Sequence, residues 1–109
     1  VFCSGKIYYD LLKKRKDTKR KDVAIIRLEQ LYPLPEKSIK AILEKYNNVT
    51  NHIWVQEEPA NSGMLAFLMQ NYNMMFKEYI SREASATPAT GFYKQHFKEQ
   101  EEILDKAFE

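Results

Sequence analysis

The sequence predicts an α/β fold with a mostly parallel sheet, and three observations carry that prediction. Val23-Ala24-Ile25-Ile26 and Ile53-Trp54-Val55 are short, continuous apolar runs, as expected of strands covered on both faces. Apolar residues at helical spacing separate and flank these runs. Strand-like and helix-like segments therefore alternate along the chain, which is the pattern of parallel sheets with helical crossovers. Those crossovers should be right-handed.

Val1-Phe2-Cys3 reads as the tail of a buried strand, and Ser4-Gly5 as the turn after it. Ile7, Tyr8, Leu11 and Leu12 recur at i, i+1, i+4 and i+5, which gives one apolar helix face. That helix should end in the following basic run, where cations suit the negative end of the helix dipole. Val23–Ile26 is the second strand. Leu31-Tyr32-Pro33-Leu34-Pro35 is a rigid extended connector, and Pro35 suits the first position of a helix because its missing N–H has no partner there anyway. Ile39, Ile42, Leu43 and Tyr46 continue that helix to Asn47-Asn48. Ile53–Val55 is the third strand. Glu57-Glu58-Pro59-Ala60-Asn61-Ser62-Gly63 has turn chemistry and is expected to be a loop. Met64, Leu65, Leu68, Met69 and Tyr72 mark another helix, Tyr79-Ile80-Ser81 a short strand, and Ala84–Gly91 an irregular segment. A closing helix begins at Phe92, with Phe97, Ile103, Leu104 and Phe108 apolar.

The chain of 109 residues, 44% hydrophobic and 29% charged, is expected to form a single domain spanning residues 1–109. Such a domain buries roughly two thirds of its unfolded surface, enough for one core. No apolar run approaches the ~20 residues of a bilayer helix, so membrane spanning is excluded. Three glycines, four prolines and one cysteine exclude collagen-like and disulfide-scaffold readings. The segment Val1-Phe2-Cys3-Ser4 lacks a basic stretch before an apolar one, so no signal or transit peptide is expected. Lone Cys3 argues for no oxidising compartment.

Net charge is +2 but unevenly placed. Seven basic residues lie between Lys13 and Lys21, and the acids Glu99, Glu101, Glu102, Asp105 and Glu109 gather near the end. The basic run reads as a solvated helix end and loop. A nucleic-acid site would ask for interleaved aromatics or a recognition helix, and Asp17 and Asp22 dilute the run, so no nucleic acid is expected as a partner.

Few residues have the spacing that chemistry requires. His52 and His96 lie far apart, Cys3 is remote from both, and no metal-ligand spacing occurs, so no metal site and no catalytic residue is assigned. Cys3 beside Phe2 reads as a buried, inert thiol rather than a nucleophile. Gly5, Gly63 and Gly91 are too scattered for a phosphate-cradling loop. Glu57-Glu58 follows a buried strand at the sheet edge where open α/β proteins bind ligands. Neighbouring residues on a strand face opposite ways, so a shared-proton pair is not expected. Glu57 and Glu58 are therefore assigned a structural or interface role, one bonding backbone N–H groups or a neighbouring domain and the other facing solvent. For Asn61 and Ser62 the local reading is turn and helix-cap chemistry.

Ser4-Gly5-Lys6 opens a helix whose free N–H groups could hold an anion, and Arg27 ends the next strand at the same edge. Ser4, Lys6 and Arg27 are thus candidates for an anion site. The favoured reading is a tight turn with Lys6 paired to a carboxylate. The four methionines among Phe67, Tyr72 and Phe76 suggest a promiscuous groove, but at helical spacing they read as core.

Four segments resemble signatures near the C-terminus of the thiamine-dependent decarboxylating component of 2-oxoglutarate dehydrogenase. They are Phe2–Leu11 (FCSGKIYYDL), Val23–Pro35 (VAIIRLEQLYPLP), Trp54–Gly63 (WVQEEPANSG) and Ala84–Gly91, in family order. The stretch through Gln100, Ile103 and Leu104 is similar to that family's C-terminal helix. RLEQLYPLP followed by a helix, a strand and Glu57-Glu58 resembles the C-terminal domain of transketolase-like enzymes.

The resemblance implies a three-layer α/β/α domain at the end of a much longer enzyme. In that family, thiamine diphosphate and Mg²⁺ belong to upstream domains, and no cofactor is expected in this segment. The implied parent decarboxylates 2-oxoglutarate, or the related 2-oxoadipate, and passes the acyl group to a lipoyl-bearing succinyltransferase component. The resemblance then implies that the C-terminal domain supports the homodimer and shapes the active-site entrance, with Gln56, Glu57, Glu58 and Asn61 at that interface or entrance, and with upstream domains of the same chain as neighbours on which part of the Met64–Phe76 face would pack. The expected location is the bacterial cytoplasm or the mitochondrial matrix. The alternative function is a regulatory module binding a nucleotide or acetyl-coenzyme A at Ser4, Lys6 and Arg27.

Overall fold

A computed structural model describes residues 1–29, 36–49, 51–71, 76–82 and 93–109, with the side chains of Glu36, Asn71 and residues 93–96 outside that description. The elements run β1 (Phe2–Cys3), α1 (Ile7–Asp17), β2 (Ile26–Arg27), α2 (Glu36–Lys45), β3 (Ile53–Pro59), α3 (Leu65–Asn71), β4 (Glu78–Arg82) and α4 (Tyr93–Ala107). The strands pair in the order β2-β1-β3-β4, and every pairing is parallel. The expected α/β class with a parallel sheet is what the chain adopts.

Strand periodicity divides the core into two halves. Register places Phe2 beside Trp54 and Trp54 beside Tyr79, while Cys3 lies beside Val55 and Val55 beside Ile80. Successive strand residues face opposite ways, so these rows line opposite faces of the sheet. Phe2 and Trp54 pack with Leu28, Ile39, Leu65, Leu68 and Phe76 under α2 and α3. Cys3, Val55 and Ile80 pack with Ile7, Leu11, Ile103, Leu104 and Phe108 under α1 and α4. Helices thus cover both faces, which makes the three layers.

Each helix follows from its apolar spacing. Ile7 and Leu11 are fully buried, and Tyr8 is packed against the same core. Helix α1 ends at Asp17, where the Thr18 hydroxyl donates to the Lys14 carbonyl at 2.7 Å and so satisfies one terminal acceptor. Lys14, Arg15 and Lys16 occupy its last turn, as the dipole favours. Ile39 is the buried anchor of α2, with Leu43 packed beside it.

Two expectations need correction. Val23–Ile26 is not a central buried strand. Only Ile26–Arg27 pair with β1, at the edge of the described sheet, and residues 23–27 are half-buried. The run is apolar because it serves both core halves: Val23 and Ile25 pack toward α1 and α4, and Ile26 toward the other face. Glu57-Glu58-Pro59 is not loop but the end of β3. Pro59 lies opposite Arg82, and the Ala60 N–H donates to the Arg82 carbonyl at 2.9 Å, so the donor that Pro59 lacks is supplied by the next residue. Phe97 belongs to the closing helix, but at 56% exposure it is outside the core that Ile103, Leu104 and Phe108 enter. The connector Leu31–Pro35, the residues Tyr72, Met74 and Met75, and the segment Ala84–Gly91 lie outside the described residues.

Candidate functional site

The C-terminal edge of β3 and β4 is where the polar side chains converge. Between Val55 and Pro59 the strand β3 advances four residues while β4 advances two, from Ile80 to Arg82. A register break of this kind bends the strand and re-aims its side chains. Here it releases Gln56, Glu57 and Glu58 from the regular ladder.

Gln56 is completely buried. Its Oε1 accepts from Trp54 Nε1 at 3.0 Å and from the Leu65 N–H at 3.0 Å. Its Nε2 donates to the carbonyls of Glu58 at 3.2 Å, Pro59 at 2.9 Å and Ser62 at 2.9 Å. One carboxamide thus ties the end of β3 to the turn after it and satisfies a free N–H at the start of α3. Ser62 N–H closes the turn on the Pro59 carbonyl at 2.9 Å.

Arg82 is the second organiser, and only 9% of it is exposed. Its Nε donates to Glu99 at 2.9 Å and its Nη2 to Gln100 Oε1 at 2.9 Å, while Nη1 bonds the Glu57 carbonyl. Gln100 Nε2 then donates to Asp10 at 3.1 Å and Glu57 at 3.3 Å. Four elements, α1, β3, β4 and α4, meet in this network. Buried cations persist where such bonds compensate their lost hydration.

The predicted interface residues separate here. Gln56 faces inward, Glu57 reaches α4 through Gln100, and Glu58 is half-buried against Gly63. Asn61 stands exposed on the turn. Arg82 carried no signal of its own in the sequence: it follows a short, weak strand, and its partners lie 17 to 25 residues away. The internal role of Gln56 had one clue, a polar residue directly after Trp54-Val55 and before a segment rich in turn residues.

The candidate anion residues lie at the start of α1. Ser4 is half-buried, Lys6 is exposed at the N-cap without a side-chain cap bond, and Gly5 takes a φ of 76° in the turn. Arg27 lies across the first turn of the helix. Its Cζ is 5.6 Å from the Tyr8 ring and 5.4 Å from the Tyr9 ring, and Nη1 donates to Tyr9 Oη at 3.2 Å. Glu29 stands 3.4 Å from Arg27 Nε. These contacts bring Arg27 against the same helix as Lys6.

Elsewhere the chemistry is quieter. Burial pushes the Cys3 thiol up to about 11, so it is held as the neutral, unreactive form. No three His, Cys, Asp or Glu side chains gather for a metal among the described residues. A cleft of about 450 Å³ lies at the opposite, N-terminal end of the strands, between Phe2, Ile53 and His52 on one side and Ile42, Leu43 and Tyr46 of α2 on the other. It is remote from the edge where β3 and β4 end. No helix among the described residues is long and apolar enough to cross a membrane.

A family model described as 2-oxoglutarate dehydrogenase C-terminal matches residues 1–108. The 2-oxoglutarate dehydrogenase E1 component of Haemophilus influenzae is 46% identical over 98% of this chain, which covers 12% of that protein. That of Cupriavidus necator is 46% identical over 99% of the chain, again 12% of its own length. A multifunctional 2-oxoglutarate metabolism enzyme of a Mycobacterium species is 45% identical over 99% of the chain and 9% of its own length. The chain therefore spans about an eighth of the E1 relatives it matches.

Proposed function

The chain belongs to the 2-oxoglutarate dehydrogenase C-terminal family, and on that premise we propose that it is the non-catalytic C-terminal domain of a thiamine-diphosphate-dependent enzyme. The parent oxidatively decarboxylates 2-oxoglutarate and transfers the succinyl group to the lipoyl group of a succinyltransferase component. The domain packs on upstream domains of its own chain, supports a homodimer and shapes the active-site entrance. The parent works in the bacterial cytoplasm or the mitochondrial matrix.

The observation that carries this reading is how the edge of β3 and β4 spends its polar groups. Gln56 and Arg82 turn their buried side chains inward, onto backbone and neighbouring side chains, and fix the shape of the segment from Glu57 to Gly63. That arrangement builds a rigid rim. The donor set does not fit a diphosphate-bound Mg²⁺ centre, which needs convergent oxygen ligands. The nearest carboxylates, Asp10 and Glu57, share one amide of Gln100 beside the Arg82–Glu99 pair. Thiamine diphosphate and Mg²⁺ accordingly belong to the upstream domains in this proposal.

A second reading has its own observation. Arg27 stacked over Tyr8 and Tyr9 is held beside the start of α1, where N–H groups and Lys6 favour an anion. A regulatory nucleotide or acetyl-coenzyme A would bind there through a phosphate.

One set of variants in the full-length enzyme separates the readings. Glu57→Ala, Glu58→Ala and Asn61→Ala should weaken subunit association or lower turnover. Wild-type association and turnover in all three would sink the interface reading. Arg27→Ala should leave association intact and abolish any response to AMP or acetyl-coenzyme A, and a retained response would sink the regulatory one.

A further inference from the structure

The ladder between β3 and β4 shifts register between Val55 and Pro59 and ends with Pro59 opposite Arg82 and the Ala60 N–H on the Arg82 carbonyl, so the residues inside the break and the turn after Ala60 lack a regular cross-strand partner. Their conformation needs another determinant. Two independent features converge on one. Three carbonyl oxygens, of Glu58, Pro59 and Ser62, point at Gln56 Nε2, and two N–H donors, of Trp54 and Leu65, point at its Oε1. Gly63 has a φ of 66°, and a Cβ there would stand 3.2 Å from both Gln56 Oε1 and Glu58 Oε2. The left-handed backbone and the close approach to the carboxamide both favour glycine at this position.

We infer that Gln56 is the positioning residue of this segment: its buried carboxamide sets the conformation of the turn between the last ladder contact and α3, and with it how Glu58 and Asn61 are presented. The consequence for a partner surface rests on the interface reading above; the positioning itself does not.

The chemistry at position 56 must be an amide. Leucine supplies neither donor nor acceptor, and leaves three carbonyls and two N–H groups without this partner. Glutamate has the same shape but sets a second oxygen against three carbonyl oxygens. When ionised it repels them; when protonated its hydroxyl can donate to one. The charged groups around it are Glu57 and Glu58 on β3 and Arg82 on β4, while the described side chains of α3 carry no charge. Gln56→Glu should therefore release the segment at mildly alkaline pH and partly restore it in mildly acidic buffer. Gln56→Leu should release it at every pH.

The test is amide hydrogen exchange across residues 60–65 in the full-length protein, corrected for the intrinsic effect of pH, beside a measurement of subunit association. Gln56→Leu should speed exchange at Ser62 and Leu65 by about tenfold or more, the equivalent of one lost net hydrogen bond. Gly63→Ala should loosen the same amides, and provides the test should neither Gln56 variant fold. Leu68→Ala, a core truncation one turn further along α3, is the control for general destabilisation. Exchange at residues 60–65 no faster than in Leu68→Ala of matched stability would overturn the inference. So would a Gln56→Glu variant whose exchange ignores pH. Loosened amides with unchanged association would uphold the positioning role and overturn the interface reading alone.

Discussion

Two charged regions of this molecule hold the same kinds of residue under opposite conditions. At the end of β4, Arg82 is buried, and its guanidinium is shared among Glu99, Gln100 and the Glu57 carbonyl. At the far end of α1, Arg20 bonds Asp22 at 2.7 Å, its Nη1 donates to the Phe108 carbonyl at 2.6 Å, and Lys14 bonds Asp105 at 2.6 Å. Those contacts tie α1 to the end of α4, but the carboxylates stand largely in water. Arg20 holds the Asp22 carboxyl below the usual carboxylate range, chiefly through its side-chain hydrogen bond. The distances are similar; the surroundings are not. Water and salt screen the exposed pairs, whereas an unpaired charge at the Arg82–Glu99 site, where Arg82 is almost wholly buried, has far less solvent to turn to. Distance alone therefore does not rank them.

The largest effect that sharpens this comparison is at Arg82. Arg82→Ala removes the buried guanidinium that bonds Glu99, Gln100 and the Glu57 carbonyl, and should cost about 3–5 kcal/mol, read as a fall in denaturant midpoint. A loss below 1 kcal/mol would place Arg82 with the exposed pairs and break the contrast.

An intermediate effect lies at Cys3. Its folded-state value, raised by burial to about 11, stands above the ordinary 9.0. Between these values the unfolded chain releases a proton that the folded chain keeps. Stability is therefore fully present below pH 9 and declines as pH rises toward 11, by up to roughly 2 kcal/mol. Cys3→Ala should flatten that slope in a comparison of unfolding curves across the window. An unchanged slope would show that the thiol ionises without leaving the core.

The smallest effect belongs to the basic run. Lys14→Ala should change stability by less than about 1 kcal/mol, and added salt should shrink the difference further. A change as large as that at Arg82 would mean that the α1–α4 tie anchors the fold as strongly.

Which parts were legible in advance follows from where the information lies. Ile7 and Leu11, or Trp54 and Val55, reveal their facing by spacing within a single element, so the helices and β3 could be read from short windows. The four motifs of the family resemblance are local in the same sense. Strand order is not local. Val23–Ile26 has the composition of a central strand, and only the pairing of β1 between β2 and β3 puts it at the edge. The extent of β3 beyond Val55 was missed because Glu57-Glu58-Pro59 has turn chemistry, while its pairing depends on Arg82 across the register break.

The sequence by itself determined the α/β class, the two apolar faces of the sheet and the family, because periodicity and motif order are properties of neighbouring residues. Tertiary structure alone decided what the polar residues do. Gln56 became the inward support of a turn because a strand end, a turn and a helix start meet around it. Arg82 became buried because α4 brings Glu99 and Gln100 over it. An apolar side chain needs only to leave water, and any core satisfies it. A buried polar side chain needs a partner at hydrogen-bond distance and angle, and folding brings that partner from distant parts of the chain.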